Sequence, residues 1–292
     1  MRFDSISKVE ELLKSQGYLP SKEIATVVYL AAILEKPVLI EGPAGTGKTE
    51  LAKSVAHMVT MELIRLQCYE GLDEAKALYE WNYRKQLLRI QAKDADAKEQ
   101  WNVLSEDIFS EEYLLERPLL RALRTPSQCV LLIDEVDRLE VEAEALLLEV
   151  LSDFQVSIPE LGTVTSKQIP LVFLTSNGTR DLSEALKRRC LYLFLDYPDV
   201  DREREIIESK VSGLNDVLAD QIAKYVSKLR DMDLKKRPSI SESLDWAMSL
   251  VEMGVGTLDR DTTMVTLNIL LKYRSDIDSV KSVLESGRMV FD

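Results

Sequence analysis

The sequence predicts an α/β domain built on a parallel sheet, followed by a smaller all-α domain. Three observations carry this. Short continuous apolar runs, Val38-Leu39-Ile40, Val130-Leu131-Leu132-Ile133 and Leu171-Val172-Phe173-Leu174, suit strands buried on both faces, as in parallel sheets. Between them, apolar residues recur at helical spacing. From about Asp199 onward the patterning is helical alone. The 292 residues allow two domains, and 46% apolar residues supply a sizeable core.

Composition narrows the function classes. The formal net charge is −13, which repels nucleic acid and anionic membrane over the general surface. Only short clusters, Lys187-Arg188-Arg189 and Lys235-Lys236-Arg237, remain as anion sites, so nucleic acid is a disfavoured partner. No apolar run approaches the roughly 18 residues of a membrane span. The opening MRFDSISKVEELL sets charges where a signal peptide needs its apolar core, and the expected compartment is the cytoplasm. Cys68, Cys129 and Cys190 are far apart and share the chain with one histidine, His57, which argues against a zinc site or a disulfide framework.

Taken in order, Ser7 with Glu10 reads as a capping box opening a first helix, and residues 22–35 as a second. Lys36-Pro37 breaks the helix before the first strand. Then Gly42-Pro43-Ala44-Gly45-Thr46-Gly47-Lys48-Thr49 fits G-x-x-x-x-G-K-[ST], and Leu51, Ala52, Val55, Ala56 and Val59 follow at helical spacing. Glycines let the backbone curl so that successive N–H groups and the helix N-terminus point at phosphate oxygens. Lys48 adds a point charge, and the Thr49 hydroxyl falls where a Mg²⁺ bridging the β- and γ-phosphates would sit. The expected ligands are therefore ATP and Mg²⁺.

The second run, residues 130–133, ends in Asp134-Glu135, a Walker B pattern. Asp134 is suited to hold Mg²⁺ through water, and Glu135 to orient and deprotonate an attacking water, which a hydrolase needs and a simple binder does not. A helix over residues 139–153 follows, then a hairpin in which Phe154, Val156 and Ile158 alternate with polar residues. The third run ends in Thr175-Ser176-Asn177, where Asn177 could hold the lytic water; an Asn before Gly178 is also good turn chemistry. The basic cluster Lys187-Arg188-Arg189 closes a short helix, where dipole complementation alone would place it.

In this order, EGPAGTGKTELA, LLIDEVDRLEVEAEALLLEVLSDFQVSIP, FLTSN and EALKRRC resemble the AAA+ ATPases and, within them, the MoxR family. The resemblance implies a three-layer core over residues 1–197, with an insert at about 66–118 and a β-hairpin at about 154–168, and a helical lid over 198–292. It implies that Asn177 is sensor 1 and that one arginine reaches a neighbouring subunit's γ-phosphate, with Arg189 favoured and Arg188 the alternative. It implies a sensor-2 arginine near Arg237, although the following Pro238 departs from the family's pattern and leaves Lys236, or a plain solvated loop, as other readings. The insert reads by default as a packed helix pair, and more sharply as a remodelling surface near a ring pore.

CYEGLDEAKALYEW resembles more narrowly the CoxD-like group. That implies a ring, a hexamer by this family's habit, in which ATP hydrolysis drives a chaperone that works with a von Willebrand factor A (VWA) domain protein to mature a client molybdenum enzyme. Two other readings stay open: a nucleotide-switched adaptor with little turnover, and an AAA+ ATPase acting on nucleic acid. A small GTPase is disfavoured because no N-K-x-D occurs to read guanine.

Overall fold

The computed structural model describes residues 3–93, 108–159 and 161–286. The chain separates into two compact units, Met1–Glu41 with Thr49–Leu193, and Gly42–Lys48 with Phe194–Asp292.

The first unit begins with α1 (Ile6–Ser15) and α2 (Lys22–Leu34). The start of α1 corrects the sequence expectation: Ser5, not Ser7, is the N-cap, its hydroxyl accepting the Lys8 N–H at 3.2 Å. Starting there lets the Ser5 carbonyl accept the Val9 N–H at 3.3 Å and adds that bond to the helix. A five-stranded sheet follows, made of β1 (Val38–Glu41), β2 (Leu63–Gln67), β5 (Val130–Asp134), β8 (Leu171–Ser176) and β9 (Leu191–Phe194). Its order is β2-β5-β8-β1-β9, and the β2–β5, β5–β8 and β8–β1 pairs are all parallel. β5 and β8 are buried along their whole length, which explains their unbroken apolar runs. Parallel register brings Glu41 beside Ser176 and Gln67 beside Asp134, so the carboxyl ends of four strands share one edge of the sheet.

Helices cover the sheet. α3 (Lys48–Met58) buries Leu51, Ala52, Val55 and Ala56, with each large apolar side chain contributing about 1.5–3 kcal/mol. α7 (Val141–Asp153) buries Leu147, Val150 and Leu151 in the same core as Leu131, Ile133, Val172 and Leu174. Phe154 then takes the left-handed conformation (φ 49°), and the chain turns into the antiparallel hairpin β6 (Gln155–Ile158) and β7 (Gly162–Thr165).

The insert, of which residues 94–107 lie outside the described residues, differs from the expected helix pair. Its described residues form a one-turn α4 (Glu74–Ala77), β3 (Tyr79–Trp81), α5 (Tyr83–Lys93) and β4 (Leu114–Glu116), and α6 (Pro118–Arg124) follows. β3 pairs antiparallel with β4, and Trp81 meets the Phe109 ring edge-on at 5.4 Å. The aromatics of Tyr79-Glu80-Trp81 favour a pleated, half-buried surface, and β4 supplies the strand to pair with.

The second unit joins the glycine loop to α9 (Val200–Lys210), α10 (Asp216–Arg230), α11 (Ile240–Glu252), α12 (Arg260–Leu270) and α13 (Arg274–Glu285). The short α8 (Glu184–Lys187) precedes β9 in the first unit. Trp246 is fully buried among Ile222, Val226, Leu250 and Leu267, and its indole N–H donates to Thr266 Oγ1 at 2.9 Å. α11 opens with a true capping box, Ser239 with Glu242. Deeper in, Arg230 and Glu203 form a two-pronged ion pair, and Arg230 Nε donates to the Pro238 carbonyl at 2.9 Å.

All three thiols are shielded: Cys68 and Cys129 are buried and Cys190 partly so. Burial pushes the Cys68 and Cys190 thiols up to about 12 and that of Cys129 to about 11; at Cys68 the charge of Asp134 adds to the effect. No helix among the described residues is long and apolar enough to cross a membrane.

Candidate functional site

The glycine loop curls because two of its residues accept no side chain. At Gly42 (φ +151°) a Cβ would lie 2.0 Å from the Leu195 carbonyl oxygen, and at Gly45 (φ +75°) 2.4 Å from Ser239 Cβ. Lys48 is buried and donates to the carbonyls of Gly42 and Pro43 at 2.7 and 2.6 Å. Thr46 Oγ1 also donates to Pro43 O, at 3.0 Å. Ala44 and Gly45 stand exposed at the rim, and Gly47 (φ +90°) completes the turn into α3.

In the first unit, Thr49 Oγ1 donates to Asp134 Oδ1 at 2.9 Å. The same oxygen accepts from Thr175 Oγ1 at 2.5 Å, and Thr175 Oγ1 in turn accepts the Glu135 backbone N–H at 2.9 Å. A hydroxyl has one proton and two lone pairs, so Thr175 can link both acidic residues at once. Asp134 Oδ2 accepts from Arg65, through Nε at 3.1 Å and Nη2 at 2.5 Å. Asp134 is 3% exposed.

Glu135 leaves the strand in the left-handed region (φ 58°), a conformation that costs a non-glycine residue about 1–3 kcal/mol. The turn redirects the chain at the end of β5, and Glu135 Oε2 accepts from Arg138 Nε at 2.8 Å. Asn177 follows β8 and is half-buried, ahead of Gly178 (φ +70°). Its loop is tied to the Glu135 turn by Asp137, whose Oδ2 accepts from Thr179 N at 3.0 Å and Thr179 Oγ1 at 2.6 Å. Burial pushes the Asp137 carboxyl up, but the hydrogen bonds from Thr179 and the Asn177 backbone outweigh it and hold the acid below its usual value. Glu41 ties β1 to the same edge, accepting from Tyr192 OH at 2.9 Å and Ser176 Oγ at 3.3 Å.

The arginines separate. Arg189 folds back, donating to Ser152 Oγ at 2.6 Å and the Ala185 carbonyl at 2.9 Å. Arg188 is exposed, and its side chain makes no hydrogen bond or ion pair among the described residues. In the second unit, Lys236 donates to Glu242 Oε1 at 3.0 Å, and the backbone N–H groups of Lys235 and Lys236 are held by Asp276. Arg237 is exposed, with no hydrogen bond or ion pair to a described residue.

Arg65, Thr175, Asp137 and Glu41 went unread in the sequence. Thr175 and Asp137 lie within or beside the motifs, and strand-end position was their available signal. Arg65 had none, since it reads as the outward residue of an alternating strand.

A family model for the AAA domain (dynein-related subfamily) matches residues 37–190 of this chain. The chain belongs to that family. Among curated relatives, this AAA domain protein is 28% identical over 228 residues to an uncharacterized protein of Staphylococcus aureus (strain bovine RF122 / ET3-1), covering 75% of this chain and 77% of the relative. It is 27% identical over 229 residues to an uncharacterized protein of Staphylococcus haemolyticus, covering 76% and 78%. Among solved structures, its fold is similar to that of a point mutant of Thermotoga maritima RuvB, with a TM-score of 0.53, 20% identity and coverage of 98% of this chain and 80% of that one.

Proposed function

We propose that this AAA domain protein hydrolyses ATP with Mg²⁺. The observation that carries the reading is the hydrogen-bonded series Thr49–Asp134–Thr175–Glu135 at the strand ends. A hydroxyl and a carboxylate oxygen 2.9 Å apart are hard oxygen donors of the kind Mg²⁺ takes, so the residues present fit the ion. When bound, Mg²⁺ supplies charge neutralisation of the β- and γ-phosphate oxygens. Thr49 and Asp134 would hold it. Gly42, Pro43, Ala44, Gly45, Thr46, Gly47 and Lys48 receive the phosphates. Glu135 accepts a proton from the attacking water, and Asn177 steadies that water.

A neighbouring copy in a ring supplies the remaining cation. Arg188 suits that role better than Arg189, because Arg189 is already committed to Ser152 and Ala185 while Arg188 extends into solvent. Arg237 suits the sensor-2 role better than Lys236, which is engaged by Glu242. The resemblance to the MoxR family and its CoxD-like group supports a six-membered ring that acts as a chaperone, with a VWA-domain partner and a client metalloenzyme.

ATP turnover per subunit, measured across a wide range of protein concentration, tests this reading. The wild-type rate should rise with concentration, and Glu135→Gln should lower it by about 10²-fold or more, the usual worth of a positioned general base. A flat rate that the substitution leaves unchanged would remove Glu135 from the mechanism.

A further inference from the structure

Both carboxylate oxygens of Asp134 are engaged by protein donors. Oδ1 accepts from two hydroxyls, those of Thr49 and Thr175, and Oδ2 accepts a two-pronged guanidinium from Arg65. Arg65 sits on the edge strand β2, two residues before Gln67, whose backbone is in register with Asp134. Its side chain therefore runs along the strand toward the carboxyl edge, donating to Gln67 Oε1 as well as to Asp134. The Arg65 side chain is 47% exposed while that of Asp134 is 4% exposed, so the guanidinium can swing into water without unpacking the core. Asp134 cannot move in the same way.

Resting on the ATP–Mg²⁺ reading above, we infer that Arg65 is the resident counter-ion of Asp134, and that Mg²⁺ binding exchanges it away. Arg65 therefore sets the Mg²⁺ concentration at which the site loads, and it keeps Asp134 from repelling nucleotide phosphates when Mg²⁺ is scarce. This is a positioning role, distinct from touching the reacting phosphate.

The test is equilibrium binding of a fluorescent ATP analogue to the full chain, titrated with Mg²⁺ and repeated in EDTA, for wild type, Arg65→Gln and Arg65→Lys. A charge-assisted hydrogen bond half open to solvent corresponds to roughly a three- to tenfold change in such an equilibrium. Arg65→Gln should lower the Mg²⁺ half-saturation by about that factor, yet bind the analogue more weakly than wild type in EDTA, because Asp134 is then uncompensated. Arg65→Lys, which keeps the charge and loses the fork, should fall between. The opposite signs in the two arms separate this role from a structural one, since a misfolded variant loses binding in both. An unchanged or raised half-saturation in Arg65→Gln, with wild type binding normally, overturns the inference. Absence of Mg²⁺-dependent binding in wild type overturns the ATP–Mg²⁺ reading instead.

Discussion

At the carboxyl edge of the sheet, four acidic side chains each accept from a donor: Asp134 from Thr49, Thr175 and Arg65, Glu135 from Arg138, Asp137 from Thr179, and Glu41 from Tyr192 and Ser176. The helical unit divides its charges. Arg230 and Glu203 are sealed together in its interior, whereas Arg237 extends into solvent just before the capping box of α11. The acids share one crowded edge and would repel one another unless donors held each in place. The difference teaches that the sheet edge holds its acids in place through donors, whereas the helical unit pairs Arg230 and Lys236 with acids and keeps Arg237 uncommitted among the described residues.

Breaking the sealed pair should have the largest effect. Arg230→Met leaves Glu203 charged and buried, which costs about 3–5 kcal/mol in urea unfolding of the helical unit. Replacing both partners, with Glu203→Leu added, should recover much of that loss. If the single and double replacements were equally damaging, packing rather than charge would be the cause.

At the sheet edge, Asp137→Ala strips two donors of their acceptor and should cost about 1–3 kcal/mol. It should also lower kcat for ATP more than it changes KM, because Asn177 loses its anchor. A thermal melt alongside steady-state kinetics checks both. Thr179→Val should reproduce part of this effect, and a variant pair with additive losses would show that Asp137 acts on something else.

The smallest effect sharpens the contrast from the helical side. Burial pushes the Glu242 carboxyl up, yet the hydrogen bonds from Ser239 and Lys236 hold it below its usual 4.5. A depressed carboxylate stabilises the fold above that value and loses the contribution as pH falls through its lower folded pKa. Glu242→Gln should therefore be slightly less stable than wild type at neutral pH, by under about 1 kcal/mol with Lys236 half-exposed, and the gap should close below about pH 4.5. A gap that widens with acid would reverse the sign of the assignment.

Much of the strand-end site was legible because its chemistry is local. Asp134-Glu135 and Asn177 each sit at the end of an apolar run, and a parallel sheet necessarily brings those ends to one edge. What escaped depends on reach across the chain. Arg65 meets Asp134 only because β2 and β5 are neighbours in register, and no spacing in the sequence encodes that neighbour. The strand pairing of Tyr79–Trp81 was hidden for a related reason: a three-residue strand carries too few alternations to show a period, and its partner is Leu114–Glu116. At the first helix the sequence pointed to Ser7, whereas it is the Ser5 hydroxyl that accepts the Lys8 N–H.

The shielded thiols have a practical consequence for anyone who wants to watch this molecule work. The thiolate is what attacks an alkylating reagent, and a thiol raised from 9.0 to about 11 or 12 carries on the order of a hundredth or less of the usual thiolate at neutral pH. A cysteine introduced on an exposed turn would then outrun all three native ones in a brief maleimide pulse. Reporter dyes can be placed on the wild-type background without first stripping it of Cys68, Cys129 and Cys190.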